Sequence, residues 1–193
     1  MLKMAVLLSG SGRTLDNFHE RINNGSLAGK IQVVVSNVAG VLGLSKAEQY
    51  GYPAFHAGKN DQINEILKDY DVDIVCLAGY LKLYTPPPEL ARAVINIHPS
   101  LIPSFCGDGF YGHHVHEAIK SRGCTVSGCT VHFANENYDE GPIILQKCVE
   151  LAYEDDIDTI ADKVFAIECE AFPEAINRID ERGIDFFWKR VGM

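Results

Sequence analysis

The sequence predicts an α/β protein: a doubly wound, mostly parallel Rossmann-like sheet with an antiparallel C-terminal extension and a long C-terminal helix. Three observations carry this. Over roughly the first hundred residues, apolar runs rich in Val, Ile and Leu alternate with segments of helical spacing, the pattern of parallel strands covered on both faces. Later, TVSGCTVHF and PIILQKCVEL are separated only by ANENYDEG, a connection that suits antiparallel pairing and is too short for a helical crossover. Beyond them, IDTIADKVFAIECEAFPEAINRI has the apolar spacing of one long amphipathic helix.

Each element follows from its residues. KMAVLLSG is a buried strand closed by a Gly-rich turn, and TLDNFHERINNG has Leu15, Phe18 and Ile22 at helical spacing. KIQVVVSN is a second strand, and GLSKAEQYG a helix stopped by Gly51. YPAFHA is a short strand, followed by the helix NDQINEILKDY with Ile63, Ile66 and Leu67 on one face. VDIVCLAGY and AVINIH are the fourth and fifth strands. FCGDGFYGHH reads as a mobile loop lined by His113, His114 and His116, the long helix is expected to bend near Pro173, and GIDFFWKRV reads as a final short strand.

The 193 residues fit a single domain, 1–193, able to bury a sizeable core. With 47% apolar and 22% charged residues the chain is globular rather than disordered. A net charge of −9 excludes a global attraction to nucleic acid or anionic membrane. No apolar run reaches the ~18 residues of a membrane span, and the first apolar run leads into turn chemistry rather than a signal-peptide cleavage site. The six cysteines form no C-x-x-C pair. Cys76, Cys129 and Cys148 lie in apolar runs and read as small hydrophobes, which favours a reduced, cytoplasmic protein without structural zinc.

Three constellations carry chemistry. SGSGRT follows the first strand and opens the first helix, where glycines free backbone N–H groups and the helix N-terminus favours an anion. It is neither a Walker loop nor G-x-G-x-x-G, since Leu15 stands after Gly10 and Gly12. It is a tight turn or, with Arg13 and Thr14, a monophosphate site. INIHPS puts Asn96 and His98 on one face of a strand at period two, and Pro99 ends that strand. Both side chains therefore stand at the carboxyl edge, where open α/β sheets bind ligands; alternatively they are a capping Asn and a structural His. NENYDEGPII carries Asp139 in a Gly-Pro-closed loop, as a turn residue or as a functional acid.

Taken in order, LLSGSGRTL, LAGYLKLYTP, INIHPSLIPSF, SGCTVHF and DEGPIILQ resemble the phosphoribosylglycinamide formyltransferases of the folate-dependent formyltransferase family. The resemblance covers nearly the whole chain. It implies transfer of a formyl group from 10-formyltetrahydrofolate, a co-substrate, to the amine of glycinamide ribonucleotide without a metal. It implies Asn96, His98 and Asp139 as catalytic residues, Gly12, Arg13 and Thr14 at the phosphate, and Glu168 at the ribose hydroxyls. For the folate it implies Leu81, Lys82, Leu83 and Tyr84, with Asn96 and the loop Ala134, Asn135 and Glu136. The partners implied are small molecules, with no nucleic acid and no membrane, for a monomer or homodimer.

Amine attack on a formyl carbon creates a tetrahedral oxyanion, which an Asn and an imidazolium can stabilise by donated hydrogen bonds. Asp139 is expected to hold His98 charged and to help move the amine's proton. Rival readings keep the same three residues: a formyltetrahydrofolate deformylase, which would carry an N-terminal regulatory domain before the first strand, or a formyltransferase acting on an amino-sugar nucleotide. A methionyl-tRNA formyltransferase would add an RNA-binding domain, and a folate or nucleotide binder would not turn over.

Overall fold

In the computed structural model, which describes residues 1–192, five parallel strands and two antiparallel ones form a single sheet. The strands are β1 (Leu2–Leu8), β2 (Gly29–Ser36), β3 (Ala54–His56), β4 (Ile74–Leu77), β5 (Val94–His98), β6 (Val126–Phe133) and β7 (Ile143–Glu150), in spatial order β3-β2-β1-β4-β5-β6-β7. β1 to β5 pair in parallel, whereas β5–β6 and β6–β7 are antiparallel. Met4 to Leu7 and Val33 to Val35 are fully buried, as strands covered on both faces must be.

The helices are α1 (Arg13–Asn23), α2 (Leu42–Gln49), α3 (Asn60–Leu67), α4 (His113–Ser121), α5 (Ile157–Arg182) and α6 (Ile184–Arg190). α5 packs across β6 and β7 and touches both α1 and α4. It runs as one helix through Pro173, which is buried. Its start is capped by Asp156, whose side chain accepts from Thr159 N–H at 2.8 Å, and Gly183 ends it.

Three expectations are corrected. GIDFFWKRV is the helix α6, not a strand. Ile184, Phe187 and Trp188 recur at i, i+3 and i+4, and Phe187 and Trp188 pack on Phe133, with ring centroids 6.0 and 5.5 Å away. Trp188 Nε1–H also donates to Arg92 O at 3.1 Å. FCGDGFYG is a loop, as expected, but His113, His114 and His116 do not line it: they stand on α4, anchored by buried Val115 and Ile119. Cys148 is exposed rather than apolar filling, because β7 is an edge strand whose alternate side chains face outward.

Order along the sheet reverses between β1 and β4, and a crevice opens there at the carboxyl ends of the strands. The turns leaving these two strands are tied together. Ser9 N–H donates to Gly79 O at 3.1 Å and Leu81 N–H to Ser9 Oγ at 2.9 Å. Topology therefore brings SGSGRT, the end of β4 and the end of β5 to one place.

Candidate active site

That place is a cavity of about 570 Å³, reached by Gly12, Arg13 and Thr14 from the first turn, Leu81 after β4, Asn96 and His98 from β5, Asp139, and Phe165 and Glu168 from α5. Residues as far apart in the chain as Gly12 and Glu168 thus line one cavity.

At the centre stands Asp139, whose side chain is 8% exposed. One carboxylate oxygen lies 3.4 Å from His98 Nδ1 and accepts from Gly107 N–H at 2.9 Å; the other lies 3.4 Å from His132 Nε2. Burial pushes its pKa up, but the adjoining imidazoles of His132 and His98 and the Gly107 N–H outweigh it, so the pKa is lowered and the group is a carboxylate. Asp139 has φ of 60°, in the left-handed region that Asp tolerates better than most residues.

His98 is held by its far nitrogen: Nε2–H donates to Phe105 O at 2.8 Å. That carbonyl belongs to an aromatic residue with φ of 51°, a strained conformation for a bulky side chain. The surrounding loop is pinned to the sheet. Ser100 Oγ donates to Ser104 O at 2.6 Å, Thr130 Oγ1 to Ser100 O at 2.7 Å, and Gln146 Nε2 to Ile102 O at 2.9 Å. Burial lowers the His98 pKa; Asp139 and the Phe105 carbonyl oppose this without reversing it. His98 is therefore neutral at rest, which corrects the expectation that Asp139 keeps it charged: loss of water outweighs one carboxylate at 3.4 Å.

Sequence reasoning assigned no role to His132. It faces Asn96 across the β5–β6 pair, and Asn96 Nδ2 lies 3.2 Å from its Nε2. Its Nδ1–H donates to Phe133 O at 2.9 Å, which leaves Nε2 to accept from the Asn96 amide. The available signal was a lone His in a buried run that pairs with INIH.

The phosphate-loop candidates stand at the start of α1. The first intrahelical bond of α1 runs from Asp16 N–H to Gly12 O at 3.0 Å, so the N–H groups of Arg13, Thr14 and Leu15 precede it. Gly12 has φ of 74°, and a Cβ there would meet Gly43 Cα at 2.8 Å; only glycine meets both demands. The Arg13 guanidinium stands 3.8 Å from the Phe165 ring centroid, a stack that no spacing rule reveals. Below it, burial raises the Glu168 carboxyl to about 8, although Arg13 pulls it down.

The folate candidates divide. Leu81 lines the cavity and is 60% exposed. Lys82 and Leu83 are exposed outside its wall. Tyr84 is buried, its OH donating to Asn64 Oδ1 at 2.7 Å. Ala134, Asn135 and Glu136 are not part of the cavity wall, whereas Tyr138 lines it. No group of three or more metal-ligating side chains occurs among the described residues, and no helix of these residues is long and apolar enough to cross a membrane.

Cys106 lies beside this site, yet its S–H donates to Pro103 O at 3.3 Å, and burial with Asp139 and Glu140 nearby raises its pKa. A thiol so held is a poor nucleophile. Cys106→Ser is expected to keep most activity; a loss in steady-state assays as deep as that of His98→Ala would make the thiol part of the chemistry.

Comparison with known proteins agrees with this architecture. Residues 2–176 match the formyl transferase family model. The chain is 36% identical over 192 residues to phosphoribosylglycinamide formyltransferase of Haemophilus influenzae, covering 94% of this chain and 88% of that one. It is 36% identical over 204 residues to the chloroplastic enzyme of that name from Vigna unguiculata, and 37% identical over 188 residues to the trifunctional purine biosynthetic protein adenosine-3 of Bos taurus. These matches cover 99% and 92% of this chain but only 64% and 18% of those relatives' own lengths. Among solved structures, glycinamide ribonucleotide transformylase 1 of Symbiobacterium toebii superposes with a TM-score of 0.84 at 35% identity, over 91% of this chain and 86% of that one. The chain belongs to the formyl transferase family.

Proposed function

We propose that the protein, as a single domain over residues 1–193, transfers the formyl group of 10-formyltetrahydrofolate to the amine of glycinamide ribonucleotide in purine biosynthesis. The observation that carries the reading is the Asp139 carboxylate set between His98 and His132, in a cavity that also reaches the N-terminus of α1.

The acceptor's phosphate lies against the N–H groups that open α1, with Arg13 above it and Thr14 beside it. Glu168 takes the ribose hydroxyls. The folate enters over Leu81, with Lys82, Leu83, Tyr84 and the loop from Ala134 to Glu136 framing its pterin. The amine nitrogen attacks the formyl carbon, and a C–N bond forms as the carbonyl oxygen gains charge. Asn96 donates to that oxygen; one such donor is worth about 2.7–4 kcal/mol in comparable sites. Asp139 draws the amine's proton, directly or through water, and passes it to Nδ1 of His98, neutral at rest, whose imidazolium then donates to the oxyanion. The carbon–nitrogen bond to the folate then breaks, and the proton passes to the leaving nitrogen.

The reading needs no metal, and its partners are small molecules, for a monomer or homodimer. All six cysteines are free thiols, which supports a reducing, cytoplasmic setting. The deciding experiment mixes the protein with 10-formyltetrahydrofolate, with and without glycinamide ribonucleotide, and follows the folate product. Release that depends on the acceptor is expected; equal release without it would make the protein a hydrolase.

Arg13→Ala is expected to raise the acceptor's KM about tenfold or more, because a charge-assisted contact to phosphate is lost. The folate's KM should stay near the wild-type value. Equal changes in both constants would move the phosphate elsewhere.

A further inference from the structure

The cavity holds another histidine. His116 stands on α4, is 5% exposed and lines the same cavity. Its situation differs from that of His98 and His132, each of which is anchored by a nitrogen on a backbone carbonyl. The Nδ1 of His116 is buried without a hydrogen-bond partner among the described residues. Burial, with His113 and His98 adding to the effect, lowers its pKa to about 4, so the ring is neutral at physiological pH.

A neutral imidazole carries one N–H and one lone pair. A buried N–H left without a partner is rarer than an unsatisfied acceptor, so the buried Nδ1 is the lone-pair nitrogen and Nε2 holds the proton. The ring's one N–H is thus an uncharged donor on a side chain that lines the cavity. Its position says what that donor meets. α4 packs on α5, whose Phe165 and Glu168 line the cavity on the side assigned above to the phosphoribose, while His98 marks the proposed reaction centre. Between those two ends, the acceptor's only polar linkage is its amide.

We propose that His116 is an acceptor-binding residue that donates a hydrogen bond from Nε2 to the acceptor's amide carbonyl oxygen. The proposal rests on the formyl-transfer reading above. An uncharged donor suits an uncharged carbonyl, and it fixes the flexible arm that carries the amine. Losing such a bond in a water-poor site weakens binding by roughly tenfold.

The test varies both substrates in steady-state assays of wild type, His116→Phe and His116→Gln, with thermal melting to check folding. His116→Phe is expected to raise the acceptor's KM about tenfold and leave the folate's within twofold. His116→Gln, which keeps an N–H donor, should recover most of the loss. If His116→Phe does not fold, His116→Ala with added imidazole carries the test, and restoration of the acceptor's KM by imidazole is expected. An unchanged acceptor KM in His116→Phe or His116→Ala, an equal change in both KM values, or a loss rescued by neither Gln nor imidazole overturns the proposal. Absence of any acceptor-dependent transfer by the wild type overturns the functional reading itself, and this proposal with it.

Discussion

In Asp139→Asn, kcat is expected to fall by about two orders of magnitude, with the acceptor still bound. The substitution is conservative in shape. The oxygen that accepts from Gly107 N–H remains, and the new NH₂ can donate to His132 Nε2. What disappears is the charge between the two imidazoles. The carboxylate that draws the amine's proton is gone, and so is the group that favours protonated His98. Because Asp139 raises the His98 pKa against a larger lowering by burial, its removal should lower that pKa further. The acid limb of the pH profile assigned to His98 then moves to lower pH, while the plateau drops. Asn96, His98 and Asp139 act on one oxygen and one proton, so the double variant Asp139→Asn/His98→Ala should be little worse than the poorer single variant. The check is kcat against pH for wild type, singles and double, with acceptor titration. Near-normal turnover in Asp139→Asn would reduce Asp139 to a turn residue.

The second large effect is on stability and enters through Gly141. A Cβ at this position would stand 1.8 Å from Phe133 O and 2.8 Å from Phe133 C. Both are backbone atoms of β6 and cannot swing aside. Gly141 is buried, and the adjacent Pro142 O accepts from Phe133 N–H at 2.9 Å, closing the turn that carries Asp139. Gly141→Ala is expected to cost about 3 kcal/mol or more of folding stability, at the upper end of overpacking effects. The turn would open, and kcat would fall with it. Gly58→Ala is the control: its Cβ meets nothing within 4 Å and its φ is unexceptional, so stability should change by less than about 1 kcal/mol. Urea denaturation of the three proteins measures both values. A Gly141→Ala midpoint equal to the wild type would mean that β6 and the turn can separate without cost.

Much of this protein was legible in its sequence. Strand runs such as Met4–Leu8 and Val33–Val35 are apolar without alternation because both faces of the sheet are covered, and that pattern is local. INIHPS announced two polar side chains at a strand end because period two and the missing N–H of proline act within six residues. SGSGRT announced a free helix N-terminus in the same way. Local signals failed where packing decided. Ile184, Phe187 and Trp188 became helical because their face closes on Phe133, far away in the chain. The histidines that followed the Gly-rich loop joined α4 because Val115 and Ile119 found the core. His132 acquired its neighbours only when β6 paired antiparallel with β5, and Phe165 met Arg13 only when α5 crossed α1. The charge state of His98 is likewise a tertiary property. Its sequence neighbours say nothing of how much water it loses, and that loss outweighs the carboxylate beside it. Asn96, His98 and the turn that opens α1 were thus written in periodicity and turn chemistry and Glu168 came only with the family resemblance, whereas their partners and protonation were set by the distances and burial that the folded chain imposes.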